Sequence, residues 1–186
     1  MINSTEFPKP TVIVQNVEIC FPVYTFDLSN NLDLNDTISK IKNLKSLHPN
    51  TTQTNVVTKS GWRSPYLTLR EPETNVFVKE LLCIQQKLNQ INSFETNLVN
   101  MWAVIYGAGD FSKNHNHFTL WDNLAYNTIL YLTDSSTPLL FETTESKVEI
   151  LPKKGLLVVM HPLVMHSVPI VNDNTERTIL VCNWSR

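Results

Sequence analysis

The three cysteines, Cys20, Cys83 and Cys182, are odd in number, far apart and without C-x-x-C spacing. That excludes a disulfide framework and a thiolate zinc site, and a reducing cytoplasmic setting is expected. No apolar run reaches the roughly 18 residues of a membrane-spanning helix. The start, MINSTEFPKPTVIVQNVEIC, lacks the basic segment and apolar core of an export signal, so neither a membrane nor export is expected. Lys and Arg number 15 against 17 Asp and Glu, with no basic run. Duplex nucleic acid is therefore not an expected partner. Internal repeats and low-complexity blocks are absent as well.

What is present is enough apolar material for one core: 42% of 186 residues are hydrophobic, which predicts a single domain over 1–186. Residues 1–96 mix helix and strand as support. Residues 11–28, rich in β-branched and aromatic side chains and broken by Pro22, predict one or two strands, one at an edge. Leu34, Ile38, Ile41 and Leu44 recur at helical spacing, with Asn35 or Asp36 as cap. A second helix is expected after Pro72, where Phe77, Leu81, Ile84, Leu88 and Ile91 step by three and four. Between the helices, Gly61 and Pro65 bracket Trp62 and Arg63 in a loop entering a strand. Trp62, Arg63 and Trp121 are candidates for a pocket mouth.

Residues 97–186 break into short apolar or alternating runs separated by turn residues, such as LVNMWAVIYG, NTILYL, GLLVVM and RTILVCNW. The fold class predicted is mainly β with N-terminal helices, a jelly roll whose mouth is a common ligand site.

There are five histidines, and two stand one residue apart in NHNHFTLWDN, residues 114–123. In an extended segment His115 and His117 point the same way and can share one ion. Chance alone gives such a pair in about one chain in eight at this composition. A third ligand must come from elsewhere, and His166 is about fifty residues on, in another predicted strand. His161, beside Pro162, reads as structural. Arg177 follows His166 by eleven residues in a strand–turn–strand pattern; its fork of donors suits a carboxylate, and an anionic co-substrate would bridge it to a metal.

The pattern resembles the Fe(II)- and 2-oxoglutarate-dependent oxygenase superfamily, whose double-stranded β-helix carries H-x-D or H-x-E, a distant His, and an Arg about ten residues further. The matching positions are His115, His117, His166 and Arg177. The chain is more closely similar to a group of small oxygenases of marine bacteria and phages with a GW-x-S segment, H-x-H, and G-x-x-x-x-F-P before the distal His. Here these are GWRS at Gly61 to Ser64, HNH, and GLLVVMHP from Gly155. Met160 and His161 replace the Phe-Pro, and RTI replaces R-x-S. His117 fills the slot usually held by a carboxylate, so the third ligand is His117 or Asp122.

The resemblance implies Fe(II), 2-oxoglutarate and dioxygen as cofactor and co-substrates, with oxidative decarboxylation to succinate and hydroxylation of a primary substrate that the sequence does not identify. Arg177 would hold the far carboxylate of 2-oxoglutarate, with Tyr126, Asn127 and Tyr131 as polar partners. Three open positions on a facially ligated iron suit two oxygens of a 2-oxo acid and one dioxygen. Replacing a carboxylate by imidazole favours softer N-preferring ions such as Zn(II) or Ni(II). GDFSKNHNHFTLWD also resembles the first cupin motif, through Gly109, His115, His117 and Asp122, which implies a metalloprotein without 2-oxoglutarate. A metal-free β-sandwich that binds a partner is the third reading. Nothing in the sequence sets the oligomeric state, a homodimer included.

Overall fold

A computed structural model of the chain describes residues 21–49, 58–118, 123–142, 146–172, 174 and 176–186. The strand expected from residues 11–20 lies outside these residues, as do Cys20, Trp121 and Asp122.

The supporting half contributes β1 (Val23–Asp27), α1 (Leu34–Leu47), β2 (Thr58–Lys59), β3 (Trp62–Arg63), a 3-10 turn (Pro72–Phe77) and α2 (Val78–Ile91). The β half contributes β4 (Asn97–Tyr106), β5 (Phe111–His115), β6 (Leu124–Tyr131), β7 (Leu139–Glu142), β8 (Lys147–Ile150), β9 (Leu156–Met160), β10 (His166–Val168) and β11 (Arg177–Ser185). Six strands form one sheet in the order β1-β9-β6-β11-β4-β3, and five form a second in the order β2-β5-β10-β7-β8. Pairing is antiparallel throughout the named strands. The expected edge strand is β1, paired on one side with β9. Its position just after Pro22 fits, because an edge strand tolerates a missing donor.

Alternation along the strands sorts side chains into two cores. Trp102, Val104 and Tyr106 of β4, Ile129 and Tyr131 of β6, and Ile179 and Val181 of β11 face inward and meet Leu139, Phe141 and Val168 of the other sheet. Their neighbours Met101, Ala103, Ile105, Leu130, Leu180 and Cys182 face outward, where α1 and α2 cover them. The helices supply Ile41, Leu44, Phe77, Leu81, Ile84 and Leu88 to that outer layer, the periodic residues seen in the sequence. Burying one such Leu or Ile contributes about 1.5–3 kcal/mol.

The cap of α1 lies two residues before Asn35 and three before Asp36, at Asp33. Asp33 accepts from the N–H groups of Asn35 and Asp36 at 3.1 Å each, satisfying first-turn donors that Asn35 or Asp36 cannot reach. Asp36 instead pairs with Lys40 at 2.9 Å, and Lys40 also reaches buried Glu80 of α2 at 2.9 Å. The second helix begins as 3-10 from Pro72 and becomes α-helical only at Val78.

Gly155 sits where β9 leaves its turn, at φ +93°. A Cβ there would stand 2.8 Å from the Ser29 nitrogen and 2.9 Å from its Cα. Gly155 also donates to the Tyr131 carbonyl and accepts from Leu28 N–H, both at 2.8 Å. This close backbone approach locks the β1–α1 connection onto the roll, and only glycine fits it.

Candidate metal centre

His166 opens β10 and pairs directly with His115, the last residue of β5. The register of one ladder thus joins two histidines about fifty residues apart in sequence. His117 lies just past the end of β5, where its backbone N–H donates to the Pro162 carbonyl at 2.9 Å. That bond fastens the H-x-H segment to the loop that enters β10. The ring centroids stand 4.4 Å apart for His115 and His166, 5.1 Å for His117 and His166, and 5.2 Å for His115 and His117. One nitrogen of each ring lies within 4.8 Å of the others, close enough for a shared ion after small rotations.

Two of the rings are oriented from behind. His115 Nδ1 is 2.8 Å from the Lys113 carbonyl, and His166 Nδ1 is 3.1 Å from the Val164 carbonyl. A carbonyl only accepts, so each Nδ1 carries the proton and each Nε2 presents its lone pair to the cluster. Outer partners of this kind commonly fix metal-bound imidazoles.

Burial holds all three rings neutral. It lowers the His166 pKa to about 4, with the charge of His115 adding to the effect. Burial also pushes His117 well below its ordinary value, helped by His166, His115 and Arg63, and lowers His115 in the same direction. Neutral imidazole is the form that binds a metal.

The cluster opens into a cavity of about 240 Å³ between the sheets. Arg177, first residue of β11, lines the same cavity although only 1% exposed. Its Nη1 donates to the Thr137 carbonyl at 2.7 Å and its Nη2 to the Tyr131 hydroxyl at 3.2 Å. Nε has no hydrogen-bond partner among the described residues, and no described carboxylate pairs with the guanidinium. Tyr106, opposite Arg177 in the β4–β11 ladder, and Tyr131 flank the cation, with guanidinium-to-centroid distances of 5.8 and 5.2 Å. Burial raises both phenol pKa values, Tyr106 to about 12, so both hydroxyls remain protonated donors. An isolated buried cation costs several kcal/mol, and this end of the cavity is suited to an anion.

Some residues singled out from the sequence lie elsewhere. Tyr126 packs with the outer core and stacks on Phe94 at 6.2 Å; five positions from Tyr131 on one strand, it faces the other side of the sheet. Asn127 is fully buried and donates to Asn183 Oδ1 at 2.9 Å, and neither it nor Tyr126 lines the cavity. Asp122, the alternative third ligand, lies outside the described residues. His161 stacks on Phe21 at 4.2 Å and accepts from Leu163 N–H at 3.2 Å, away from the cluster. The strand–turn–strand reading of residues 166–185 is a crossover: β10 and β11 lie in different sheets, so Arg177 faces the histidines across the cavity.

Trp62 and Arg63 separate across β3. Trp62 turns outward and donates from its indole N–H to the His48 carbonyl at 2.8 Å; Arg63 turns inward and lines the cavity with Tyr66 and Trp102. Tyr106, Tyr66 and Trp102 carry no motif in the sequence. The inward parity that β4 shares along Trp102, Val104 and Tyr106 is the signal that could have found two of them.

No sequence profile of a known family matches the chain, and no curated protein matches it significantly. Solved structures do. The viral collagen prolyl hydroxylase of Paramecium Bursaria Chlorella virus-1, in its 2-oxoglutarate complex, superposes with TM-score 0.65 at 14% identity over 88% of this chain and 96% of that one. A 2-oxoglutarate–Fe(II) oxygenase family oxidoreductase from Burkholderia pseudomallei gives 0.66 at 12% identity, covering 88% and 84%. HygX from Streptomyces hygroscopicus, solved with nickel and 2-oxoglutarate, gives 0.64 at 9% identity, covering 88% and 82%. The likeness is one of fold: the two facing sheets form the double-stranded β-helix of these oxygenases. Among the described residues no helix is long and apolar enough to cross a membrane.

Proposed function

We propose that the chain is an Fe(II)- and 2-oxoglutarate-dependent dioxygenase. His115, His117 and His166 hold the iron, and Arg177 with Tyr131 holds the far carboxylate of 2-oxoglutarate. The observation that carries this reading is a buried guanidinium without a described acidic partner, sharing one cavity with three converging imidazoles.

The donor set suits the group. The Nε2 lone pairs of His115 and His166, whose rings are oriented from behind, are suited to hold a metal with His117 after small rotations, and three neutral donors leave open positions for a chelating co-substrate. When bound, iron and 2-oxoglutarate supply oxidation of a C–H bond by dioxygen, coupled to decarboxylation of the 2-oxo acid to succinate. The protein's own part is placement. Arg177 offers Nε and its remaining amino N–H donors to a carboxylate, while Thr137 and Tyr131 keep the fork from turning. Tyr131 accepts from Arg177 and keeps its own proton to donate. Val104, Ile129, Ile179 and Val181 line the space between cation and histidines and exclude water from it. With His117 in place of a carboxylate, the centre carries about one more positive charge, which favours Zn(II) and Ni(II) in competition with iron.

Iron-loaded protein given 2-oxoglutarate and dioxygen without a second substrate should release succinate slowly. Succinate should disappear with Zn(II) in place of iron and in Arg177→Gln. Protein that holds one iron, takes up 2-oxoglutarate and yet forms no succinate would refute the assignment.

A further inference from the structure

The three imidazoles are not held alike. His115 and His166 each turn Nδ1 to a backbone carbonyl, that of Lys113 at 2.8 Å and that of Val164 at 3.1 Å. No described residue hydrogen-bonds a ring nitrogen of His117, whose tie to the fold is its backbone N–H on the Pro162 carbonyl. In the slot that His117 occupies, a carboxylate would tolerate rotation, because its two oxygens carry about four acceptor sites. An imidazole has one lone pair for a metal, in the plane of the ring. That plane must be set by something, and at His117 it is set by packing.

The indole of Trp102 faces this ring. Their centroids are 5.6 Å apart with 35° between the planes, within the range of aromatic contact. The other rings against His117 are those of His115 and His166, which themselves turn to meet an ion. Trp102 is fixed in its place. It is 4% exposed, and its backbone pairs with Val181 of β11 on one side.

On the other side of β4 runs the segment that begins with GWRS. Ser64 N–H donates to the Ala103 carbonyl at 2.9 Å, and Ser64 Oγ accepts from Ala103 N–H at 3.0 Å. Leu67 and Met101 exchange two backbone bonds of 2.8 Å. These bonds lie just before and just after Trp102 along β4, and they bring Arg63 and Tyr66 against its indole. Tyr66 meets it edge-on, at 5.0 Å and 77°, and the Arg63 guanidinium carbon lies 5.0 Å from its centroid.

We infer that Trp102 is a positioning residue for His117: its indole, braced by Arg63 and Tyr66, sets the plane of the one ligand ring that no described hydrogen bond orients. The inference rests on the metal-centre part of the proposed function and on no step of the reaction. It also gives GWRS a role at the site. Ser64 fastens the segment to β4, Arg63 braces Trp102, and Trp102 holds the ligand.

The test is Co(II) binding to metal-free, full-length protein under nitrogen, followed by visible absorption and without co-substrate. Trp102→Leu removes the flat wall and should weaken Co(II) binding about tenfold or more, the loss that follows when the outer support of a metal ligand is removed. Trp102→Phe keeps a ring and should stay within about threefold of wild type. In His117→Ala there is no ring to position, so adding Trp102→Leu should change the affinity less than about twofold. Should Trp102→Leu fail to fold, Trp102→Met reads the same quantity, because its flexible chain refills much of the volume without offering a flat ring. Wild-type affinity in the folded Leu or Met variant, or the same fold loss with and without His117, would overturn the inference and leave the metal centre standing. Wild-type protein that binds no Co(II) would overturn the metal centre and the inference together.

Discussion

Arg177→Gln separates a ligand-binding arginine from a structural one. In the native protein the guanidinium is bonded to Thr137 and Tyr131 and lacks a described carboxylate partner; 2-oxoglutarate would supply it. Removing one member of a buried, hydrogen-bonded charge pair costs about 2–5 kcal/mol, or about 30-fold to several-thousand-fold in affinity. For metal-loaded wild type under nitrogen, 2-oxoglutarate at about 100 times its Kd adds about 2.7 kcal/mol of stability. In a domain of this size that raises Tm by about 5–10 °C. At the same concentration Arg177→Gln should gain less than about 1 kcal/mol, a rise of about 3 °C or less. The increment is the readout, because loss of the Thr137 and Tyr131 bonds lowers the starting Tm whatever the role of Arg177. A variant that starts lower yet keeps the full increment would refute the assignment of Arg177 to the co-substrate.

Three further predictions follow from the same geometry. His166→Ala should abolish stoichiometric iron uptake while the far-ultraviolet circular dichroism stays native; unchanged iron content would sink the site. In metal-free protein, burial holds the folded His166 pKa near 4 against an ordinary value of 6.5, so the folded state binds fewer protons than the unfolded one. Stability should be complete above pH 6.5 and fall by about 3 kcal/mol as pH drops towards 4; urea midpoints across this range should decline less steeply in His166→Gln. Gly155→Ala, forced against the Ser29 backbone at positive φ, should cost about 2–4 kcal/mol in urea denaturation, and a loss below about 0.5 kcal/mol would contradict the close approach.

Local patterns were the legible part of the fold. Period and alternation sufficed for α1, for the α-helical part of α2 and for seven of the eight strands from β4 to β11, because each depends on residues a few positions apart; the polar β5, Phe111–His115, has no such pattern. The cap at Asp33 was missed by looking inside the helix for an oxygen that must lie before it. Which strands become neighbours is a long-range property. His115 and His117 could be placed on one side by alternation, but the register that sets His166 against His115 has no local signature. The same holds for the crossover that carries Arg177 to the opposite sheet. Tyr126 and Asn127 were chosen from the right strand without using its parity: Tyr126 faces away from Tyr131, and Asn127 spends its donors on Asn183 and the Cys182 carbonyl. Arg63 was visible as a cation on a loop, yet only the inward turn of β3 distinguishes it from Trp62 beside it.

The central claim is that the histidine cluster and Arg177 together bind iron and a 2-oxo acid. Its most direct test is a titration of 2-oxoglutarate into anaerobic protein reconstituted with Fe(II), followed by the weak visible charge-transfer absorption of a chelated 2-oxo acid. The account predicts a band that saturates near one equivalent and is lost in Arg177→Gln. Bound iron with no band would contradict it.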